Sequence, residues 1–174
     1  MILPAYLLFA IGLLGAADIL FFHTLAQRLR SHRPARAELL THFLRGPTYA
    51  LLFLGVPNFA FEGAWFWFLQ ALLLFDVAIS IADFWLEPES RRALGGLPRG
   101  EYLLHVVIAM CFGALLLATW NESVAGRGAP TALRWIEDGA PTLLRAALAI
   151  MAPIVLWTGL CDLAAVIRLG RSAT

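Results

Sequence analysis

Five long apolar segments dominate this chain and restrict the folds open to it. They cover residues 2–27, 38–57, 60–86, 101–120 and 142–168. Each is long enough to cross the hydrocarbon core of a bilayer, which takes about 20 helical residues. Of the 174 residues, 60% are apolar and 14% are charged, so a water-soluble globule would expose large apolar patches. The sequence therefore predicts an all-α integral membrane protein, a bundle of about five transmembrane helices that forms one domain over residues 1–174.

The second segment is the weakest of the five. Arg45 and Pro47 interrupt it near one end, and Pro57 closes the other end. A bundle of four spanning helices with a re-entrant piece is therefore an alternative architecture.

The connection between the fourth and fifth segments is unusually long. It runs from about residue 121 to residue 141, and a connection of that length generally carries structure of its own. We expect a short surface helix around residues 131–137.

The arginines predict an orientation in the membrane. All thirteen basic residues are arginine, and most of those in short loops follow the first, third and fifth segments. By the positive-inside rule these ends face the cytoplasm, which places the N-terminus outside and the C-terminus inside. The expected location is a bacterial inner, cytoplasmic membrane, with membrane lipids around the bundle. The net charge of +1 provides no basic field for nucleic acid. The arginines on the cytoplasmic side are Arg28, Arg30, Arg33, Arg36, Arg91, Arg92, Arg99, Arg168 and Arg171.

Titratable side chains concentrate in the cytoplasmic half of this predicted bundle, which holds all four histidines and most of the acidic residues. An ionised carboxylate near the bilayer centre costs about 3 kcal/mol, so these groups need a proton, an arginine or a metal cation as a partner. Imidazoles and carboxylates at one depth are the ligands that iron, manganese or zinc prefer. The predicted metal ligands are His23, His42, Asp83 and His105, with Glu38, Glu101, Asp18 and Asp76 as further candidates.

Helical spacing supports part of this prediction and opposes another part. Glu101 and His105 are four residues apart, so they are neighbours on one face of an α-helix. Asp18 and His23 are five apart, which is about 140° around an α-helix. We therefore expect that Asp18 and His23 do not both point at one centre.

Two charged residues near the predicted site are expected to have structural roles. Arg45 lies inside its segment and needs a partner, which Glu38, Asp83 or Asp162 could supply; a lipid phosphate or a substrate carboxylate is the alternative. Glu87 lies at the membrane rim, and we expect it to be solvated.

Carboxylates outnumber imidazoles in the predicted site, which favours iron or manganese over zinc, as one ion or as a pair. The leading expectation is an oxidoreductase that acts on a lipid or isoprenoid-like substrate, with a hydrolase second. One alternative is a haem-binding electron carrier, with two of His23, His42 and His105 as axial ligands. The other is a non-catalytic subunit or a proton or ion pathway along the acidic face of the third segment.

Overall fold

The computed structural model describes residues 1–171 as five long helices and a two-stranded ribbon. The helices are α1 (Ile2–Asp18), α2 (Arg36–Gly55), α3 (Ala64–Arg92), α4 (Arg99–Ser123) and α5 (Thr142–Arg171). A π-helix over Ile19–Ala26 continues α1, and short 3-10 turns cover Leu29–Ser31, Arg33–Ala35 and Val124–Gly128. The strands are β1 (Phe59–Glu62) and β2 (Ala132–Trp135).

Four helical segments of the described chain are long and apolar enough to cross a membrane. They are Ile2–Ala26, Ala64–Arg92, Arg99–Gly128 and Thr142–Arg171. This confirms the prediction of a largely helical protein with long apolar helices, with four such segments rather than five. α2 is a helix of 20 residues, but its composition does not place it among these four segments.

The predicted surface helix at residues 131–137 was wrong, because residues 132–135 form β2. This strand pairs antiparallel with β1, with Phe59 opposite Trp135 and Glu62 opposite Ala132. The Phe59 and Trp135 rings meet edge to face, with their centroids 5.4 Å apart. Pairing with β1 also provides hydrogen bonds for backbone groups of residues 132–135 that would lack partners at the ends of a short helix.

Two glycines allow α2 to lie against α5. A Cβ atom added to Gly159 would lie 3.3 Å from both the Cα of Gly46 and the carbonyl oxygen of Phe43. Small residues at such a crossing let two backbones approach closely, as is common among membrane helices. α2 therefore packs between α5 and α3, while α1 packs on α4.

Two apolar clusters occupy the two ends of the bundle. The larger includes Leu8, Phe53, Leu73, Leu115 and Leu148. The smaller consists of Leu29, Ala35, Leu39, Ala165 and Val166. Along α1 and α5 the buried acidic residues lie between these clusters, so a polar layer crosses the bundle near the end that contains the smaller cluster.

Candidate metal centre

A π-helix brings Asp18 and His23 to the same side of the first helix. It ends with a hydrogen bond of 2.9 Å from the Gln27 amide to the Phe22 carbonyl, five residues back. The wider turn of a π-helix aligns residues five apart, and such turns are frequent at functional sites. His23 Nε2 lies 3.3 Å from Asp18 Oδ2. The prediction that these two side chains would not face one centre was wrong.

The first donor set combines side chains from the first helix and from α4. Asp18, His23, Glu101 and His105 each offer one nitrogen or oxygen, and these four atoms lie within 4.8 Å of one another. His23 Nε2 is 3.1 Å from Glu101 Oε1, and His105 Nε2 is 3.1 Å from Asp18 Oδ2. All four side chains are buried.

His23 has carboxylates close by but no hydrogen bond to them. Neither of its ring nitrogens has a hydrogen-bond partner among the described residues, and the same holds for Asp18 Oδ1 and Glu101 Oε2. Two ligands that bind one ion at 2.0–2.2 Å lie about 2.8–3.6 Å apart. The distances from His23 Nε2, 3.1 and 3.3 Å, therefore fit donor atoms arranged around a shared cation.

A second donor set adjoins the first and shares His23 with it. His23, Glu38 and His42 offer atoms within 4.8 Å of one another. The rings of His23 and His42 are stacked, with centroids 4.7 Å apart and planes 5° from parallel. Asp83 Oδ1 lies 3.5 Å from His42 Nε2, so this predicted residue borders the second set.

Arg91, which sequence reasoning assigned to a cytoplasmic loop, is buried in the cluster. The reason is that α3 continues through Pro88 to Arg92 instead of ending near residue 86. Arg91 donates hydrogen bonds to Glu38 Oε2 (2.7 Å) and to Glu101 Oε1 (2.6 Å), so it joins the two donor sets. Its position eight residues after Asp83 continues the acidic face of α3, which is the signal that could have identified it.

Glu87 also departs from its prediction. It was expected to be solvated, but only 3% of the residue is exposed, and its Oε1 lies 3.0 Å from His105 Nδ1. Histidine ligands commonly hold a carboxylate against their second nitrogen, which fixes the orientation of the ring. Glu87 is close enough to His105 Nδ1 for this role, although neither of the two atoms has a hydrogen-bond partner among the described residues.

Asp76 lies outside both donor sets. It accepts a hydrogen bond from the Tyr49 hydroxyl at 3.3 Å and lies 3.8 Å from Arg45 Nε. Arg45 also donates to Asp83 Oδ2 at 2.8 Å and to Ser80 Oγ at 2.9 Å. The ion pair expected for Arg45 is therefore present, with Asp83 as its nearest partner.

Negative charge exceeds positive charge in this layer. The layer contains seven buried carboxylates and three arginines, which pair with five of them, so four negative charges remain in excess if every carboxylate is ionised and the histidines are neutral. Burying an ion costs several kcal/mol unless it is compensated, so protons or metal cations must neutralise this excess. The carboxylates are Asp18, Glu38, Asp76, Asp83, Glu87, Glu101 and Asp162, and the arginines are Arg30, Arg45 and Arg91.

A small cavity of about 10 Å³ lies beside the two donor sets. His23, His42, Arg30 and Asp162 are among its lining residues. A volume of this size holds about one water molecule.

The arrangement is chemically suited to a transition metal, because it offers imidazole nitrogens and carboxylate oxygens at once. Helical bundles commonly build metal sites from inward-facing glutamate and histidine residues of this kind. Comparison of the chain with protein families, with curated proteins and with solved structures found no match.

Proposed function

We propose that this protein is a membrane-embedded metalloprotein in which Asp18, His23, Glu101 and His105 bind a first-row transition metal. The observation that carries the proposal is the buried His23 Nε2, which lies 3.1 and 3.3 Å from two carboxylates without a hydrogen bond to either. Iron or manganese suits this mixed set best, and zinc is the second choice.

The outer surface of the bundle supports insertion in a bilayer. Leu103, Met110 and Leu117 follow one another at seven-residue intervals on α4, and each is more than half exposed. On α2, between about a third and a half of each of four leucines is exposed, namely Leu40, Leu44, Leu51 and Leu54. We count α2 as a fifth crossing, because it turns its charged residues toward the centre and its leucines outward.

The proposed orientation follows the positive-inside rule, with the N-terminus outside and the C-terminus in the cytoplasm of a bacterial cell. The metal centre then lies in the cytoplasmic half of the bundle.

The proposed activity is oxidation or reduction at the metal, with a lipid or isoprenoid-like substrate that approaches from the bilayer. Hydrolysis with the metal as a Lewis acid is the second possibility. The cavity beside the centre has about 10 Å³, so a lipid must reach the metal between helices that separate.

Haem fits this site poorly. Axial imidazoles bind the iron from opposite faces of the porphyrin, whereas the centroids of the His23 and His42 rings are only 4.7 Å apart, which leaves no space for a porphyrin between them. A cavity of about 10 Å³ also cannot contain a porphyrin. A proton pathway along α3 is less favoured, because Arg45 lies against Asp83 and Ser80 and a guanidinium does not release its proton in proteins.

Metal content of the purified protein tests the proposal. The chain is expressed in membranes, purified in detergent, incubated with Mn²⁺ or Fe²⁺ and freed of loose ions before elemental analysis. We expect stoichiometric metal in the wild type and a clear loss in His105→Ala.

The matched control is His32→Ala, because His32 belongs to neither donor set. This variant should retain the metal content of the wild type. A wild-type protein that holds no more metal than His105→Ala would overturn the proposal.

A further inference from the structure

The second donor set contains a buried carboxylate oxygen that has no hydrogen-bond partner. Glu38 is fully buried, and its Oε2 accepts hydrogen bonds from Arg91 and Ser90. Its Oε1 has no partner among the described residues. That unpaired oxygen lies 3.9 Å from His42 Nε2, so it points into the second donor set.

The separation of these two atoms fits a shared ion better than a direct contact. A distance of 3.9 Å is too long for a hydrogen bond. It is shorter than the about 4.2 Å that separates two ligands on opposite sides of one ion with bonds of about 2.1 Å. A cation between Glu38 and His42 would therefore satisfy both atoms.

His23 can serve both donor sets, because it carries two nitrogens. Both are buried, and neither has a hydrogen-bond partner among the described residues. One imidazole binds two ions only through different nitrogens, and it gives up its N–H proton when it does so. Both nitrogens of His23 are accordingly available as ligand atoms.

Arg91 fixes the positions of one carboxylate from each donor set relative to each other. It occupies one oxygen of Glu38 and one oxygen of Glu101, and the other oxygen of each is buried and unpaired. If every carboxylate is ionised and the histidines are neutral, the four excess negative charges of the layer also exceed the charge of a single divalent ion.

We propose that the centre is dinuclear, with a second divalent transition-metal ion bound by Glu38, His42 and His23 beside the ion bound by the first set, after the stacked rings of His23 and His42 rotate so that each points a nitrogen at the ion. Asp83 Oδ1 lies 3.5 Å from Nε2, the same nitrogen of His42, and borders the second set. This inference rests on the proposed function, because the second ion shares His23 with the first.

Counting Mn²⁺ ions tests the inference separately from the proposed function. Purified protein is titrated with Mn²⁺, and bound metal per chain is measured together with its electron paramagnetic resonance spectrum. We expect about two ions per chain in the wild type, with a spectrum altered by magnetic coupling. His42→Ala should lose one of them and give the spectrum of isolated Mn²⁺, and His32→Ala should behave as the wild type.

Each other outcome has a definite meaning. One ion in the wild type overturns the dinuclear centre and leaves the proposed function intact, whereas no bound ion overturns both. Two ions retained in His42→Ala overturn the placement of the second ion. If His42→Ala does not fold, Glu38→Gln is measured in its place, because it preserves the shape of the side chain and removes the charge.

Discussion

Replacing Arg91 with methionine is expected to destabilise the protein strongly. The guanidinium is fully buried and donates to Glu38 at 2.7 Å and to Glu101 at 2.6 Å. Removing one member of a buried ion pair costs about 3–5 kcal/mol, because the remaining charge is left without compensation. Here two carboxylates lose their partner, so we expect a loss of at least about 3 kcal/mol in the free energy of unfolding.

The neighbouring residue provides a matched control. Arg92 is exposed and pairs with the exposed Glu89 at 2.6 Å, and exposed pairs of this kind contribute about 0–1 kcal/mol. The free energies of unfolding of Arg91→Met and Arg92→Met are compared by titration with a denaturing detergent. A chelator is present throughout, so that bound metal does not contribute to either value.

Equal losses in the two variants would refute the argument that Arg91 balances buried carboxylates. A rescue experiment sharpens the test. Adding Glu101→Gln to Arg91→Met removes one of the uncompensated charges, so the double variant should recover about 1–3 kcal/mol. A double variant less stable than Arg91→Met would contradict the electrostatic explanation.

Three further predictions address the crossing, the ribbon and the metal. Gly159→Val should lower the free energy of unfolding by about 1–3 kcal/mol, whereas Gly113→Val, whose Cβ meets nothing within 4 Å, should change it by less than about 0.5 kcal/mol. The hydrogen bond from Arg134 lowers the pKa of Glu62. The wild type should therefore be more stable than Glu62→Gln at neutral pH, and this difference should disappear as the pH falls through the lowered pKa. Denaturation curves at several pH values would check this. Mn²⁺ at about 100 times its dissociation constant should stabilise the wild type by about 2.7 kcal/mol for each ion bound, and chelation should reverse the gain in a thermal-unfolding assay.

The positions of most buried acids could be predicted from the sequence, because an apolar segment makes every titratable residue conspicuous. Asp83 and His105 stood out for that reason. Glu87 and Arg91 did not, because Pro88 and the charged residues after it suggested that α3 had ended. A proline removes one backbone hydrogen bond and usually ends a helix, yet α3 continues to Arg92. The buried partners of Glu87 and Arg91 offset that cost, and they lie on the neighbouring helices α2 and α4 rather than on α3 itself.

The character of α2 is the second feature that hydropathy could not determine. Glu38, His42 and Arg45 lower the mean hydropathy of the segment, which by itself suggests an exposed helix. In the structure, Glu38 is buried and the other two contact carboxylates of the polar layer. Their charge is compensated by neighbouring helices, and no property of the segment alone reports that compensation.

The π-helix explains why Asp18 and His23, whose spacing was expected to keep them apart, both lie in the first donor set. Periodicity arguments assume 3.6 residues per turn, and under that assumption Asp18 and His23 diverge. Wider turns are less favourable for the backbone, so a π-helix of eight residues requires a compensating gain. The hydrogen bond between Asp18 and His105, at 3.1 Å, supplies one. The π-helix and the first donor set therefore form one structural unit, in which the polar contacts stabilise the turn that positions them.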